Sequence, residues 1–353
     1  MSLLTPHSLS ELQAICQAGK PLVVCGRGSK LHWLSPQALA DRLLVTTTHL
    51  PEVWEHATAD LVLTVSAGST LQAIQARLTA TGQFLPLMPP YPDQTTIGGI
   101  VAVGINGSLR HRYGAVRDLV LGIEFMRTDG VLAKAGGKVV KNVAGYDLMK
   151  LLTGSWGTLA IITAVTLRLY PHPPTQATLL TTGNASVIAD LLGKLWRSGL
   201  TPTVVDLCTT GTPDRLTLVV QFMGLGPAVN GQVTTWQNLT ASAETKLGEL
   251  PVFNWQTDSG YALCRLGILP AHGIALAEQF GRHPLQIHLG SGIGFAHIPL
   301  DQLGQVQNFC QSHQGYLQLL HPPASTPPHP LMSAIKQQLD PQGILPPWET
   351  IGK

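Results

Sequence analysis

Gly26-Arg27-Gly28-Ser29-Lys30 follows directly on the apolar run Leu22–Cys25. A glycine turn at the end of a strand aims several main-chain N–H groups at one point, and two cations sit beside it, which suits a phosphate group. The pentapeptide alone also reads as an ordinary turn. It is not a Rossmann fingerprint, because Leu31 stands where the third glycine would fall, and no Walker lysine pattern occurs. Further along, Thr95-Thr96-Ile97-Gly98-Gly99, then Gly104, Asn106 and Gly107, then Arg112-Tyr113-Gly114 and Arg117-Asp118, read as successive passes of backbone and hydroxyls along one elongated ligand. The alternative is a glycine-rich sheet edge. Glycine belongs where φ is positive or where the backbone approaches something closely. A mere edge does not need GKVVKNVAGY followed by Gly154-Ser155-Trp156-Gly157-Thr158. The ligand implied is large and met through main chain.

The elements that must position these residues are partly explicit. Ser8 and Glu11 form a capping box for a helix carrying Leu9, Leu12, Ile15 and Cys16 on one face, stopped by Gly19 and Pro21. Leu22–Cys25 reads as a strand, as does Leu61–Val65, and the latter leads into a helix with Leu71, Ile74 and Leu78 that ends at Gly82. TTIGGIVAVGING and the rest of residues 85–170 read mainly as short strands with close-approach loops, Thr128-Asp129-Gly130 being a hairpin turn. Pro171-His172-Pro173-Pro174-Thr175 marks a domain boundary. Beyond it, helix-like stretches such as Val187–Trp196 alternate with strand-like ones, Arg215–Gln221, Tyr261–Leu269 and Gln286–Leu289, in an α+β pattern. A second proline break covers residues 321–330, and Leu331–Leu339 reads as a short helix.

The chain has 353 residues, enough for two domains or so at roughly 100–200 residues each. Its 22 Lys and Arg against 20 Asp and Glu leave +2, with no basic block, which argues against nucleic acid. Charged residues make up only 12%, half the roughly 25% usual for soluble proteins, and such a surface suggests a partner interface. No apolar run reaches the ~20 residues of a membrane span, and the N-terminus lacks a signal-peptide pattern, so a cytoplasmic location is expected. Cys16, Cys25, Cys208, Cys264 and Cys310 form no CxxC pair, which excludes an iron–sulfur or zinc cluster of local spacing and makes them small core hydrophobes.

GRGSK, TTIGG, RYGAVRDLVLG and GGKVVKNVAGYDLMKLLTGSWGTLAIITAVTLRLYP, in that order, resemble the FAD-binding domain of the vanillyl-alcohol-oxidase or PCMH type. IKQQLDPQGILPP, within Leu331–Pro347, is similar to that family's closing segment. KNVAGYD, GSWGTLA and the short length resemble the E-type flavin subunits of glycolate oxidase. The resemblance is dense over residues 20–172. It implies an FAD-binding domain over 1–172, of two α+β subdomains (about 1–80 and 81–172), an α+β cap over 176–325, and a segment over 326–353 returning to the FAD domain.

FAD would be held without a covalent bond, with its pyrophosphate at Gly26, Arg27, Gly28, Ser29 and Lys30 and at Thr95, Thr96, Ile97, Gly98 and Gly99. The flavin ring would pass near Gly104, Asn106 and Gly107, and Tyr113 and Gly114 would also be cofactor contacts. The adenine end would lie near Gly157, Ile161 and Ile162. His32, close to the phosphate loop, does not stand where a tether is expected. Catalytic relatives bind a divalent metal through His-x-Gly-Asp-Gly-Asn-x-His, where this chain has His288-Leu-Gly-Ser-Gly-Ile-Gly-Phe-Ala-His297. Ser291 replaces Asp and Ile293 replaces Asn, and Ile ligates nothing, so no metal is expected. His288 remains the candidate catalytic residue. His111, His321 and His329 show no ligand spacing.

The resemblance therefore implies a subunit of a complex oxidising glycolate or D-lactate to the 2-oxo acid, passing electrons or scaffolding the assembly. Its partners would be a homologous catalytic flavin subunit and an iron–sulfur subunit. Association with the inner face of a membrane would come through those partners. Two alternatives are a self-sufficient FAD-dependent D-2-hydroxy-acid dehydrogenase and a non-enzymatic scaffold.

Overall fold

The computed structural model describes residues 2–138, 146–212, 215–323 and 328–348. The chain divides into two compact units, Met1–Asn106 with Gly114–His172 and Pro323–Lys353, and Gly107–Tyr113 with Pro173–Pro322.

In the first unit, helix Leu9–Gln17 is capped by Ser8, whose Oγ accepts the Glu11 N–H at 3.1 Å, but the expected box is not completed, because the Glu11 carboxylate reaches past Ser8 to accept the His7 N–H at 2.9 Å. It buries Leu12 and Cys16 against a three-stranded parallel sheet of Leu3–Leu4, Leu43–Thr46 and Leu22–Cys25. A five-stranded antiparallel sheet follows, ordered Trp54–Ala57, Val62–Ser66, Ile161–Arg168, Val120–Met126, Leu132–Gly136. Its last pair closes through the expected turn, Gly130 taking φ +83° and Arg127 N–H donating to Val131 O at 2.9 Å. Helix Leu71–Thr79 buries Leu71, Ile74 and Leu78 in this sheet's core.

Ile97–Val103, read from sequence as strand, is a helix. Its β-branched content is overruled by capping at both ends: Thr96 Oγ1 accepts the Gly99 N–H, and Gly104 closes it in the left-handed region at φ +67°. Ile97, Ile100 and Val101 then fill the core, a burial of about 1.5–3 kcal/mol for each side chain. Short helices Arg110–Tyr113, Val116–Leu119 and Leu148–Leu152 also stand in the stretch expected to be mainly strands.

The second unit is one eight-stranded antiparallel sheet, ordered Glu244–Gly248, Thr175–Gly183, Leu216–Gly224, Val204–Thr210, Pro284–His288, Ile293–Pro299, Tyr261–Gly267, Tyr316–His321. One face is packed by the four helices Ala185–Arg197, Gly226–Leu239, Gly273–Phe280 and Leu303–Ser312. The first of these, capped by Asn184 on Val187 N–H at 3.0 Å, buries Ile188, Leu191, Leu192 and Leu195, the spacing of a single helical stripe. Alternation along the strands turns Asp206, Gln286 and His288 to the opposite face, between Val205 and Leu207 or Leu285, Ile287 and Leu289 of the core. No helix among the described residues is long and apolar enough to cross a membrane.

Candidate functional site: a glycine-walled cleft

Strand Leu22–Cys25 ends in the loop Gly26–Lys30 and a 3₁₀ turn, Leu31–Trp33. Thr46 Oγ1 ties down this loop, donating to Gly26 O at 2.9 Å. The main-chain N–H groups of Arg27, Gly28, Ser29 and Lys30 form no hydrogen bond with any described residue, leaving four consecutive donors free for a ligand. Lys30 Nζ donates to Thr95 Oγ1 at 2.6 Å and Ser29 Oγ at 3.0 Å, which leaves one of its three donors uncommitted. Burial pushes its pKa down to about 8.

These residues line a cleft of about 730 Å³, solvent at its mouth included, within the first unit. Two of its glycines are required by the protein itself. A Cβ on Gly26 would overlap the Thr96 side chain, and one on Gly98 would stand 2.7 Å from Ala67 Cβ. Only close approach lets the loop Gly26–Lys30 and the capped helix Ile97–Val103 meet as neighbouring walls. The far wall is Trp156 and Gly157. Trp156 holds φ +56°, a conformation non-glycine residues rarely take, fixed by its N–H donating to Ala102 O at 2.7 Å. Cys25 also lines the cleft, and burial raises its thiol to about 11, so it stays protonated at neutral pH.

Of the expected contacts, Gly26, Arg27, Gly28, Ser29, Lys30, Thr96, Gly98, Gly99, Gly157 and Ile162 line this cleft. Thr95 stands behind Lys30 as its acceptor. Ile97 and Ile161 do not reach it: both are fully buried in core clusters, because a helix or strand that offers one face to a cleft gives the other to the core. Gly104 is a helix cap. Asn106 is occupied within the chain, its Oδ1 accepting the Val116 N–H at 2.7 Å and its Nδ2 donating to Gly104 O at 3.2 Å. Gly114 precedes the turn in which Asp118 accepts the Ala115 N–H. Gly107 and Tyr113 fall in the second unit. KNVAG, at 141–145, lies outside the described residues. Thr47, Ala102, Val103, Trp156 and Ala160 were missed as lining residues; for Trp156 the signal was its place between Gly154 and Gly157.

His288 is 4% exposed and sits in the second unit. Its Nδ1 lies 2.9 Å from Asp206 Oδ1, and Asp206 Oδ2 accepts from Ser108 Oγ at 2.5 Å and Gln286 Nε2 at 2.8 Å. His297 turns its Nε2 to Asn254 O at 2.7 Å. No group of three or more His, Cys, Asp or Glu placed to hold a metal occurs among the described residues.

Free main-chain donors beside a lysine, in a cleft with a glycine-walled entry, fit the pyrophosphate of a dinucleotide, and the mixed parallel and antiparallel sheets around it are those of the PCMH-type FAD-binding fold. Residues 2–136 match the family described as FAD binding domain, and FAD is the cofactor of this unit. The chain is 38% identical over 160 residues to glycolate oxidase subunit GlcE of Escherichia coli (strain K12), covering 45% of each protein. It is 35% identical over 174 residues to glycolate oxidase subunit GlcD of Bacillus subtilis (strain 168), covering 49% of this chain and 37% of that one. The D-lactate dehydrogenase of Archaeoglobus fulgidus is 44% identical over 86 residues, 24% of this chain and 19% of that protein. The matched stretches thus span less than half of these relatives. A solved structure of alkyldihydroxyacetonephosphate synthase superposes with a TM-score of 0.73 over 98% of this chain and 75% of its own, at 15% identity, a likeness of fold.

Proposed function

We propose that this chain is a flavin subunit of a complex that oxidises a small 2-hydroxy acid, glycolate or D-lactate, to the 2-oxo acid. The observation that carries the reading is the row of unpartnered N–H groups at Arg27–Lys30 beside the Lys30 ammonium, in an FAD-binding domain. The loop amides and Lys30 would hold the pyrophosphate, and Trp156 with Gly157 would wall the cleft. Bound FAD supplies two-electron acceptance there. The names of the relatives, two glycolate oxidase subunits and a D-lactate dehydrogenase, support the substrate class. Ser291 and Ile293, in place of metal ligands, favour a role in electron passage or scaffolding beside a homologous catalytic flavin subunit and an iron–sulfur subunit. We place the complex in the cytoplasm, peripheral to the membrane through its partners.

Purified alone, the chain is expected to be yellow and to reduce dyes with glycolate only feebly; vigorous turnover without partners would overturn the subunit role, and absence of flavin bands after incubation with FAD would overturn the cofactor reading. A second reading, a self-sufficient 2-hydroxy-acid dehydrogenase, is favoured by the buried Asp206–His288 pair, whose Nε2 has no partner among the described residues.

A further inference from the structure

Tyr91 takes φ +52°, a conformation that its Cβ disfavours and that a following proline, Pro92, disfavours further. Such a backbone persists only where its surroundings hold it. Three sets of contacts do so. The Tyr91 carbonyl accepts the N–H groups of Gln94 and Thr95, both at 3.0 Å. Its hydroxyl lies 3.1 Å from His32 Nε2. Its ring packs on fully buried Trp33, 5.9 Å between centroids, and Trp33 in turn stands 6.2 Å from Trp156 on the far wall of the cleft. His32 and Trp33 belong to the 3₁₀ turn that follows Lys30, and Thr95 is the acceptor of the Lys30 ammonium. A closed circuit results: Lys30 Nζ to Thr95 Oγ1, Thr95 N–H to Tyr91 O, and the Tyr91 hydroxyl to His32, two residues along from Lys30. Burial raises the Tyr91 phenol, so it keeps its proton at neutral pH.

We infer that Tyr91 is a positioning residue for FAD binding: its turn and its hydroxyl together hold Thr95 Oγ1 against Lys30 Nζ, and so fix where the ammonium stands in the cleft. Lys30 and Thr95 are 65 residues apart in sequence, and the link from Tyr91 to His32 spans the same two loops a second time. Without the hydroxyl, the strained turn has one restraint fewer, Thr95 moves off Nζ, and water reaches the ammonium. Burial is what lowers the Lys30 pKa, so water entry raises it again. Removing the Thr95 hydroxyl while the turn stays closed does the opposite, since the charged form loses an acceptor and regains no water. The inference rests on the proposed role of Lys30 at the pyrophosphate for its effect on FAD, but not for its effect on Lys30 itself.

Titration of the Lys30 Cε resonance in the full-length, cofactor-free protein tests it, with the signal assigned by its loss in Lys30→Met. The wild-type midpoint is expected at about 8. Tyr91→Phe should move it up toward 10.5, and Thr95→Val should move it down. A loss of folding stability alone moves neither, because the folded protein is what titrates. FAD affinity should fall about tenfold in each variant, the loss of roughly one hydrogen bond. The double variant should also lose about tenfold rather than a hundredfold, because one residue acts through the other. A Lys30 midpoint that stays or drops in Tyr91→Phe overturns the inference, as does a hundredfold loss of affinity in the double variant. His32→Ala, at an exposed position, removes the far end of the link and should raise the midpoint as Tyr91→Phe does. It decides the matter if Tyr91→Phe does not fold, an unmoved midpoint again overturning the inference. Midpoints that move as stated, with Lys30→Met binding FAD as the wild type does, uphold the positioning of Lys30 and refute its role at the pyrophosphate. Unmoved midpoints with weakened FAD binding in Lys30→Met refute the inference and leave that role standing.

Discussion

Lys30 should couple cofactor binding to pH. Its ammonium is held between Ser29 Oγ and Thr95 Oγ1, and burial brings its pKa from 10.5 to about 8. A charge-assisted hydrogen bond to a phosphate oxygen contributes about 1.5–3 kcal/mol. Lys30→Met should therefore weaken FAD binding about 10- to 150-fold at pH 7. Wild-type affinity should be flat below pH 8 and fall about tenfold per unit above it, until the higher pKa of the cofactor-bound lysine is reached, because binding must then take up a proton.

Stability of the cofactor-free chain moves the other way. The folded pKa lies below the unfolded one, so the unfolded chain binds more protons between about pH 8 and 10.5. The burial penalty is full below pH 8 and is relieved as pH rises through that window. Its upper limit is about 3 kcal/mol, from 1.36 kcal/mol per pH unit, and residual solvent contact reduces it. Lys30→Met should abolish both dependences. Quenching of flavin fluorescence from pH 7 to 9.5, with urea unfolding of the apoprotein over the same range, reads both. A wild-type dissociation constant unchanged across that range, or a Lys30→Met protein that binds FAD as the wild type does, would refute the reasoning.

Three further outcomes follow from packing. Gly26→Ala forces a methyl into Thr96 and should lower stability by about 1–3 kcal/mol in urea titrations while reducing the FAD retained on gel filtration. Asp340→Ala strands half-buried Lys336, which also donates to Thr158 O at 2.7 Å beside the cleft, and frees the N–H groups of Ile344 and Leu345 that buried Asp340 accepts; about 3 kcal/mol should be lost, read by chemical unfolding. Asn184→Ala removes a helix cap far in sequence from the cleft and should cost about 1 kcal/mol with FAD affinity unchanged, a pairing checked by calorimetry and flavin titration on one preparation.

What the sequence by itself determined is what closes over a few residues. Ser8 meets Glu11, and Gly130 turns between Arg127 and Val131, each within hydrogen-bonding reach of its own neighbours along the chain. The glycine density that suggested a large ligand was sound as a pattern, yet part of its cause was internal: Gly26 and Gly98 make room for Thr96 and Ala67. Composition also misread Ile97–Val103, where caps at Thr96 and Gly104 outweighed β-branched side chains.

Tertiary structure alone decided which face of each element meets the cleft, sending Ile97 and Ile161 to the core and Thr47 and Trp156 to the wall. It alone joined Ser108, Asp206 and His288, since those pairs are 98 and 82 residues apart, and Asp206 meets His288 only through the order of strands in one sheet. Local spacing carries no information about such pairings, because strand order and register are settled by the burial of whole faces rather than by any short run of residues.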